Sequence, residues 1–277
     1  MRLAQYRTPS GVRHLGRVHD DVVHSLLSAP DGPRVDLLAD ALATGLDLTA
    51  VGTDPVPLGE VTLLAPVTLP QKILCIGLNY ADHVRESKME TPKAPLLFAK
   101  YPNALIGHDA DVVHDPATAQ LDYEAELAVV IGRRARNVDE SSALAHVLGY
   151  TCANDVSARD VQLGDGQWVR GKSFDGFCPL GPWLVTADEV PDPQGLAIGM
   201  RVNGEVRQDS TTKEMVFSVA EVISYLSRTM TLEPGDVILT GTPYGVGMGF
   251  TPPRWLSAGD VMEVSIEGIG TLRNLVV

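Results

Sequence analysis

An α+β fold dominated by strands is predicted from local patterns along the 277-residue chain. Asn203-Gly204 lies between two short alternating segments and is typical of a β-hairpin, because that tight turn needs positive φ at both central residues. One turn-into-strand pattern occurs at 232–237 and again at 256–261. Ser218 and Glu221 instead form a capping box, which indicates that a helix begins there.

Residues 1–68 are predicted to form a small N-terminal α/β domain. Short strands, including residues 16–23, precede an apolar-periodic helix that begins at Asp36 and that Gly45 can end. A connection rich in Pro and Gly follows, and a strongly apolar strand then begins at 72–78. We place the boundary there, so that residues 69–277 form the larger second domain.

Composition and charge exclude several kinds of partner and site. The chain has 22 basic and 35 acidic residues, a net charge of -13 and no basic run, so we expect neither a nucleic-acid-binding nor an anionic-membrane surface. No apolar stretch approaches the roughly 20 residues that cross a bilayer, and the N-terminus lacks the features of a secretory signal, so a cytoplasmic protein is expected. Cys75, Cys152 and Cys178 are widely separated, which argues against a disulfide framework and a thiolate zinc site.

Two acidic residues on one predicted strand are candidate metal ligands. Segment 121–132 has a strand pattern whose period of two places Glu124 and Glu126 on one face. A solvent-exposed face is the alternative, since carboxylates are usually exposed. Ala128 and Val130 continue that face, however, and buried carboxylates need a cation. A third carboxylate at Asp155 would complete an oxygen-rich site suited to Mg²⁺ or Mn²⁺, and the missing His and Cys ligands argue against zinc.

Asp155 also belongs to a second polar group. Segment 154–162 is predicted to begin a helix, in which Asp155, Arg159 and Gln162 share one face because they are spaced by four and three residues. An exposed i,i+4 ion pair, which adds only about 0.3 kcal/mol to helix stability, is the alternative.

His83 and Glu86 form a candidate base and orienting residue. They lie three residues apart in a polar stretch that follows the apolar strand, and at helical spacing they can form a hydrogen bond. A solvated helical pair is the commoner outcome of this spacing. Pro92 and Pro95 follow, which indicates a mobile loop or lid.

A lysine among small residues and a glycine-rich turn complete the candidates. Lys172 lies in the segment 170–175, and Thr242 lies in a glycine-rich turn at 239–247 that follows an apolar strand. Such a turn can present backbone donors and a hydroxyl to an anion, although a tight connection is the alternative. Neither segment contains a nucleotide-binding fingerprint.

Taken together, these motifs resemble the fumarylacetoacetate hydrolase family, and specifically its bacterial acylpyruvate hydrolase and oxaloacetate decarboxylase branch. The resemblance runs from about residue 73 to the C-terminus. Five motifs in one order carry it: Gly77-Leu78-Asn79-Tyr80, Asp122-Tyr123-Glu124-Ala125-Glu126-Leu127, Asn154-Asp155-Val156-Ser157-Ala158-Arg159-Asp160, Gly171-Lys172-Ser173-Phe174-Asp175 and Thr240-Gly241-Thr242-Pro243.

The resemblance implies a twisted mixed β-roll catalytic domain of the fumarylacetoacetase C-terminal type and a homodimer. The implied ligands of a Mg²⁺ or Mn²⁺ ion are Glu124, Glu126 and Asp155. The implied catalytic residues are His83, Glu86 and Lys172, and the implied substrate-binding residues are Asn79, Tyr80, Arg159, Gln162 and Thr242. Fumarylacetoacetase itself has a fourth metal-binding aspartate where this chain has Asn79, so fumarylacetoacetate is not expected as the substrate.

The resemblance further implies a metal-dependent hydrolase that cleaves a carbon–carbon bond in 2,4-dioxo acids (acylpyruvates), releasing a 2-oxo acid such as pyruvate and a carboxylic acid. In that reaction the metal stabilises an enolate, and His83 activates the attacking water. Oxaloacetate decarboxylation, or hydration and isomerisation of unsaturated 2-oxo acids, is the alternative through the same chemistry. A non-catalytic protein that binds a metal or a small acid is disfavoured, because it would not need His83 and Glu86.

Overall fold

A computed structural model describes residues 1–32 and 35–277 of the chain. The helices are α1 (Leu37–Thr44), α2 (Ala81–Ser87), α3 (Glu140–Ala143), α4 (Arg159–Gly164), α5 (Val169–Lys172) and α6 (Val219–Thr229). The strands are β1 (Arg2–Arg7), β2 (Val12–His19), β3 (Val22–Pro30), β4 (Thr53–Pro57), β5 (Thr62–Leu63), β6 (Ile73–Gly77), β7 (Leu96–Lys100), β8 (Leu105–Ile106), β9 (Leu121–Asp122), β10 (Ala125–Ile131), β11 (Val147–Asn154), β12 (Ser157–Ala158), β13 (Cys178–Thr186), β14 (Ala197–Val202), β15 (Glu205–Thr211), β16 (Val237–Leu239), β17 (Val261–Ile266) and β18 (Gly270–Leu275). Within these ranges no helix is long and apolar enough to cross a membrane.

Twelve strands form one mixed sheet. Its main path runs β4-β3-β2-β1-β13-β11-β10-β16-β6-β7, with β5 against β1 and β8 against β13. The pair β16 and β6 and the pair β13 and β8 are parallel, whereas the neighbours along the rest of the path are antiparallel. A four-stranded sheet, β15-β14-β17-β18, packs against β10, β11 and β13. The predicted α+β class and mixed β-roll are therefore confirmed.

Strand β10 lies at the centre of the core and has apolar packing on both faces. Leu127, Val129 and Ile131 belong to a cluster that includes residues of α6, whereas Ala128 and Val130 belong to a second cluster that includes residues of α1. Every residue of β10 is buried. A polar side chain on this strand is therefore held away from bulk water and must be paired there.

Three local signals predicted from the sequence are confirmed, whereas the single strand predicted over residues 16–23 is wrong, because β2 ends at His19 and β3 begins at Val22. Asp36 caps α1 by accepting hydrogen bonds from two backbone N–H groups, and Gly45 ends the helix with φ of 70°. The turn between β14 and β15 has φ of 53° at Asn203 and 76° at Gly204. The predicted capping box stands at the start of α6.

The N-terminal strands are continuous with the main sheet. β1 pairs with β13 through Arg2 opposite Val185 and Leu3 opposite Leu184. The sheet therefore runs across residue 68, and the division into domains 1–68 and 69–277 stays a prediction.

Two segments beside β10 differ from the sequence prediction. The strand predicted over 121–132 is interrupted, because residues 121–122 leave it and pair with β12. The helix predicted from residue 154 is wrong at its start, since α4 begins at Arg159. Asp155 lies before it in an irregular segment, because β11 runs directly up to this residue and β12 then pairs with β9.

Candidate active site

Three carboxylates meet where β10 begins and β11 ends. Glu124 precedes β10, Glu126 lies within it and Asp155 follows β11. The antiparallel register pairs Ala125 with Asn154, which brings the three acidic residues side by side. One carboxylate oxygen of each lies within 4.8 Å of the others, and the three residues are 5%, 2% and 0% exposed. The structure thus brings together the three metal ligands predicted from the sequence.

Three buried cationic side chains surround these carboxylates. The Lys172 ammonium lies 2.6 Å from Glu124 and 2.8 Å from Asp155. Lys100, at the end of β7, lies 2.5 Å from the other oxygen of Asp155. The Arg159 guanidinium lies 2.6 Å from Glu124. These ion pairs form out of contact with bulk water, where the attraction between opposite charges is stronger than at a surface.

The two glutamates are in opposite electrostatic environments. Burial alone would raise the pKa of the Glu124 carboxyl, but Arg159 and Lys172 hold that pKa well below its usual range. Burial raises the pKa of Glu126 well above its usual range, and repulsion from Asp155 and Glu124 adds to the rise. The cations therefore neutralise one side of the cluster, whereas Lys172 and the Gly241 N–H offset the repulsion at Glu126 only in part.

The donor set fits a hard divalent cation. The three side chains offer carboxylate oxygens, the ligands that Mg²⁺ and Mn²⁺ prefer, and a cation among them would relieve the repulsion at Glu126. The Gly241 N–H donates to Glu126 Oε2 at 2.7 Å and so orients that carboxylate. Glu124, Glu126 and Asp155 are therefore the residues that would hold the ion.

A histidine–glutamate pair lies on the short helix α2. His83 Nδ1 is 2.9 Å from Glu86 Oε2, and the two side chains are 9% and 17% exposed. The other Glu86 oxygen accepts the N–H of Gly245 at 2.9 Å, which connects the pair to the glycine-rich turn. Gly249 packs directly on Glu86, where any Cβ would collide with the carboxylate. The pair is largely buried and held in one orientation, unlike a solvated helical pair.

Asp122 holds the Arg159 side chain in place. Arg159 Nε donates to Asp122 at 2.8 Å, and its Nη1 donates to Gln162 at 3.1 Å. Asp122 also accepts the N–H groups of Gly247, at 2.6 Å, and Met248, at 3.1 Å. One buried carboxylate thus connects α4 to the end of the glycine-rich turn. Arg159 and Gln162 are buried, so the exposed ion pair considered for this segment does not form.

The other predicted substrate-binding residues lie around the glycine-rich turn. Thr242 is buried and directly follows Gly241. Asn79 donates both amide hydrogens to backbone carbonyls, and a Cβ on Gly241 would lie 2.8 Å from Asn79 Cβ. Tyr80 is fully buried, and burial raises the pKa of its hydroxyl well above the usual value. The contacts of Asn79 support the turn, and substrate contacts by Asn79 and Tyr80 stay predictions.

Three buried residues of this site are not among the candidates predicted from the sequence. Lys100 closes the apolar strand β7, and a charge in that position is a signal that could have found it. Asp122 lies in the same motif as Glu124, and its bond to Arg159 depends on β9 leaving the line of β10. Gln208 donates to the Thr242 hydroxyl, but it lies on an ordinary hairpin strand with no comparable signal.

Comparison with known sequences identifies relatives along the whole chain. Human oxaloacetate tautomerase FAHD2A, a mitochondrial protein, is 43% identical, with 100% of this chain and 92% of that protein covered. The mitochondrial oxaloacetate tautomerase FAHD2A of Bos taurus is 50% identical, with 86% of this chain and 74% of that protein covered.

Solved structures share the fold at similar identity. A fumarylacetoacetate hydrolase from Exiguobacterium antarcticum has a TM-score of 0.87 and 41% identity, with 100% of this chain and 99% of that chain covered. A 5-carboxymethyl-2-hydroxymuconate delta-isomerase from Mycobacterium smegmatis has a TM-score of 0.82 and 38% identity over the same shares. The family described as fumarylacetoacetate (FAA) hydrolase C-terminal matches residues 72–277. The chain therefore belongs to the fumarylacetoacetate hydrolase family of enzymes.

Proposed function

We propose that this protein is a divalent-metal-dependent enzyme that interconverts the keto and enol forms of oxaloacetate or a similar 2-oxo acid. The observation that carries the proposal is the buried pair of His83 and Glu86 near three carboxylates, because this conversion needs a group that moves a proton at the carbon next to the carbonyl. The relatives named oxaloacetate tautomerases support oxaloacetate as the substrate.

In this proposal, different residues stabilise the charge of the enolate and transfer the proton. When bound, a divalent ion supplies positive charge that stabilises the enolate oxygen. Arg159 and Lys172 add fixed positive charge beside it, which favours a substrate that carries carboxylates. A Glu86 carboxylate can only accept from His83 Nδ1–H, which in the neutral imidazole leaves the lone pair of Nε2 free. We assign to Nε2 removal of the proton from C3, as the C3–H bond breaks, and delivery of a proton to the enolate oxygen, which gives the enol.

Hydrolysis of 2,4-dioxo acids is the second candidate, because the same oriented imidazole can activate water. In that reaction Nε2 of His83 takes a proton from water as the oxygen attacks C4. The C3–C4 bond then breaks, its electron pair forms the enolate of pyruvate, and His83 returns the proton to C3, so that the products are pyruvate and a carboxylic acid. Decarboxylation of oxaloacetate needs the enolate but no base. Isomerisation of unsaturated 2-oxo acids needs proton transfer, and the similar Mycobacterium smegmatis isomerase supports that variant.

The acidic cluster is expected to bind one Mg²⁺ or Mn²⁺ ion and to become more stable when it does. Saturating metal should raise the melting temperature of the wild type, because it removes the repulsion at Glu126. Glu126→Gln should bind either ion at least about 100-fold more weakly by isothermal titration calorimetry. Glu140→Gln, at an exposed position on α3, is the matched control. Wild-type affinity in Glu126→Gln would show that the ion binds elsewhere.

A substitution that removes the proton-transfer group is expected to leave metal binding intact. His83→Ala should slow tautomerisation, followed by the ultraviolet absorbance of the enol, by about 10²- to 10⁴-fold, the usual contribution of a general base. Its affinity for Mg²⁺ should be unchanged, because α2 supplies none of the three carboxylates. Arg85→Ala, on the exposed side of the same helix, should keep the wild-type rate.

The same variant separates the candidate reactions. Acylpyruvate hydrolysis should fall with tautomerisation in His83→Ala, while any oxaloacetate decarboxylation should fall less, since it needs no base. Asp155→Ala should abolish each activity. A wild-type tautomerisation rate in His83→Ala would contradict the role assigned to this residue.

We also propose that the protein is a homodimer that buries the edge of the main sheet formed by β7. β7 ends the strand path, and Leu96, Leu97 and Tyr101 at this edge are 40%, 38% and 57% exposed. An apolar strand edge is prone to uncontrolled pairing unless another chain covers it. Light scattering at micromolar concentration should give twice the 29.7 kDa chain mass, and Leu97→Lys should shift the protein towards that single-chain mass. A single-chain mass for the wild type would refute the dimer.

A further inference from the structure

Gln208 makes three hydrogen bonds behind the glycine-rich turn. It lies on β15 and is 1% exposed. Its Oε1 accepts the N–H of Ala125 at 2.9 Å, and its Nε2 donates to the Pro243 carbonyl at 2.8 Å and to Thr242 Oγ1 at 2.9 Å. A backbone N–H can only donate and a carbonyl can only accept, so the two backbone partners fix which end of the amide is oxygen.

This orientation determines the direction of the bond to Thr242. Both hydrogens of Nε2 are used as donors, and Thr242 Oγ1 is therefore an acceptor from Gln208. The hydroxyl proton of Thr242 is not used in this bond and remains available to donate. No residue within the described ranges accepts it in a hydrogen bond.

Thr242 lies next to the residues that position the acidic cluster. The preceding residue, Gly241, donates its N–H to Glu126, and Ala125, which Gln208 holds, stands between Glu124 and Glu126. Gln208 thus connects the turn to the strand that carries the acidic cluster. If the Thr242 hydroxyl directs its hydrogen away from Gln208, it can donate to an anionic oxygen. If it directs its hydrogen towards Gln208, it cannot.

We propose that Gln208 is a positioning residue that fixes the Thr242 hydroxyl as a hydrogen-bond donor and thereby makes the site selective for a carboxylate group of the substrate. The inference rests on the proposed function, since it assumes that a 2-oxo acid or its analogue binds beside the acidic cluster. It differs from a purely structural role, in which Gln208 only joins β15 to β10 and to the turn.

Gln208→Glu tests the difference with little change in shape. The new carboxyl group can still accept the Ala125 N–H, but in neither protonation state does it supply two donors. Thr242 then donates its proton to this carboxyl group and turns a lone pair towards the substrate. Gln194→Glu is a matched control, because Gln194 also accepts one backbone N–H and donates to one backbone carbonyl, while its other donor bond goes to Met215 Sδ and not to one of the predicted site residues.

Oxalate, which resembles the enolate of a 2-oxo acid, is the probe, and its binding to the Mg²⁺-loaded protein is measured by calorimetry in a double-mutant cycle with Thr242→Val. We expect Gln208→Glu to weaken oxalate binding by about 10- to 100-fold in the wild-type background, the effect of losing one charge-assisted hydrogen bond. In the Thr242→Val background the same change should weaken binding by less than about 3-fold. Gln194→Glu should match the wild type.

The outcomes separate this inference from the proposed function. Equal losses in both backgrounds would mean that the added charge or a general distortion acts directly on oxalate, and would overturn the role of Gln208. If Gln208→Glu does not fold, judged by circular dichroism, Gln208→Met enters the same cycle, because it also lacks both donors. Failure of the wild type to bind oxalate or to turn over any of the candidate 2-oxo acids would overturn the proposed function and this inference together.

Discussion

The convergence of three buried carboxylates is the constraint on which the rest of the structure depends. Glu124, Glu126 and Asp155 offer oxygen atoms within 4.8 Å of one another, and charges so close cannot be buried without compensation. Lys100, Lys172 and Arg159 come from three different elements, β7, α5 and α4, and supply that compensation. Ion pairs with these carboxylates therefore hold the three elements around one point, in addition to apolar packing.

The fold makes that concentration of charge possible. β10 is buried by apolar clusters on both faces, and antiparallel pairing with β11 sets the acidic residues side by side. Close packing around the glycine-rich turn then closes the site. A Cβ on Gly241 would collide with Asn79, and a Cβ on Gly247 would lie 2.5 Å from Asp122. Glycine at these positions lets the turn approach closely enough for its backbone N–H groups to donate to Glu126 and Asp122.

The sequence predicted the features that depend on short spacing. The helix between Asp36 and Gly45 and the Asn203-Gly204 hairpin follow from local backbone chemistry. The sequence correctly predicts that Asp155 joins the acidic cluster, but its prediction of a helix there is wrong, because the same spacing also fits a strand end followed by a helix. Lys100 and Gln208 were missed, since their partners lie 55 and 83 residues away and only the tertiary fold joins them.

The central claim is that this cluster of charges and the oriented His83 together support an enolate. Proton exchange at C3 of pyruvate tests it most directly, because an enolate is common to the candidate reactions. In deuterium oxide with Mg²⁺, the wild type should replace the methyl protons of pyruvate with deuterium, followed by loss of the proton NMR signal. Chelation of the metal or His83→Ala should reduce the exchange to the rate without enzyme. Exchange by the wild type no faster than with Mg²⁺ alone would contradict the account.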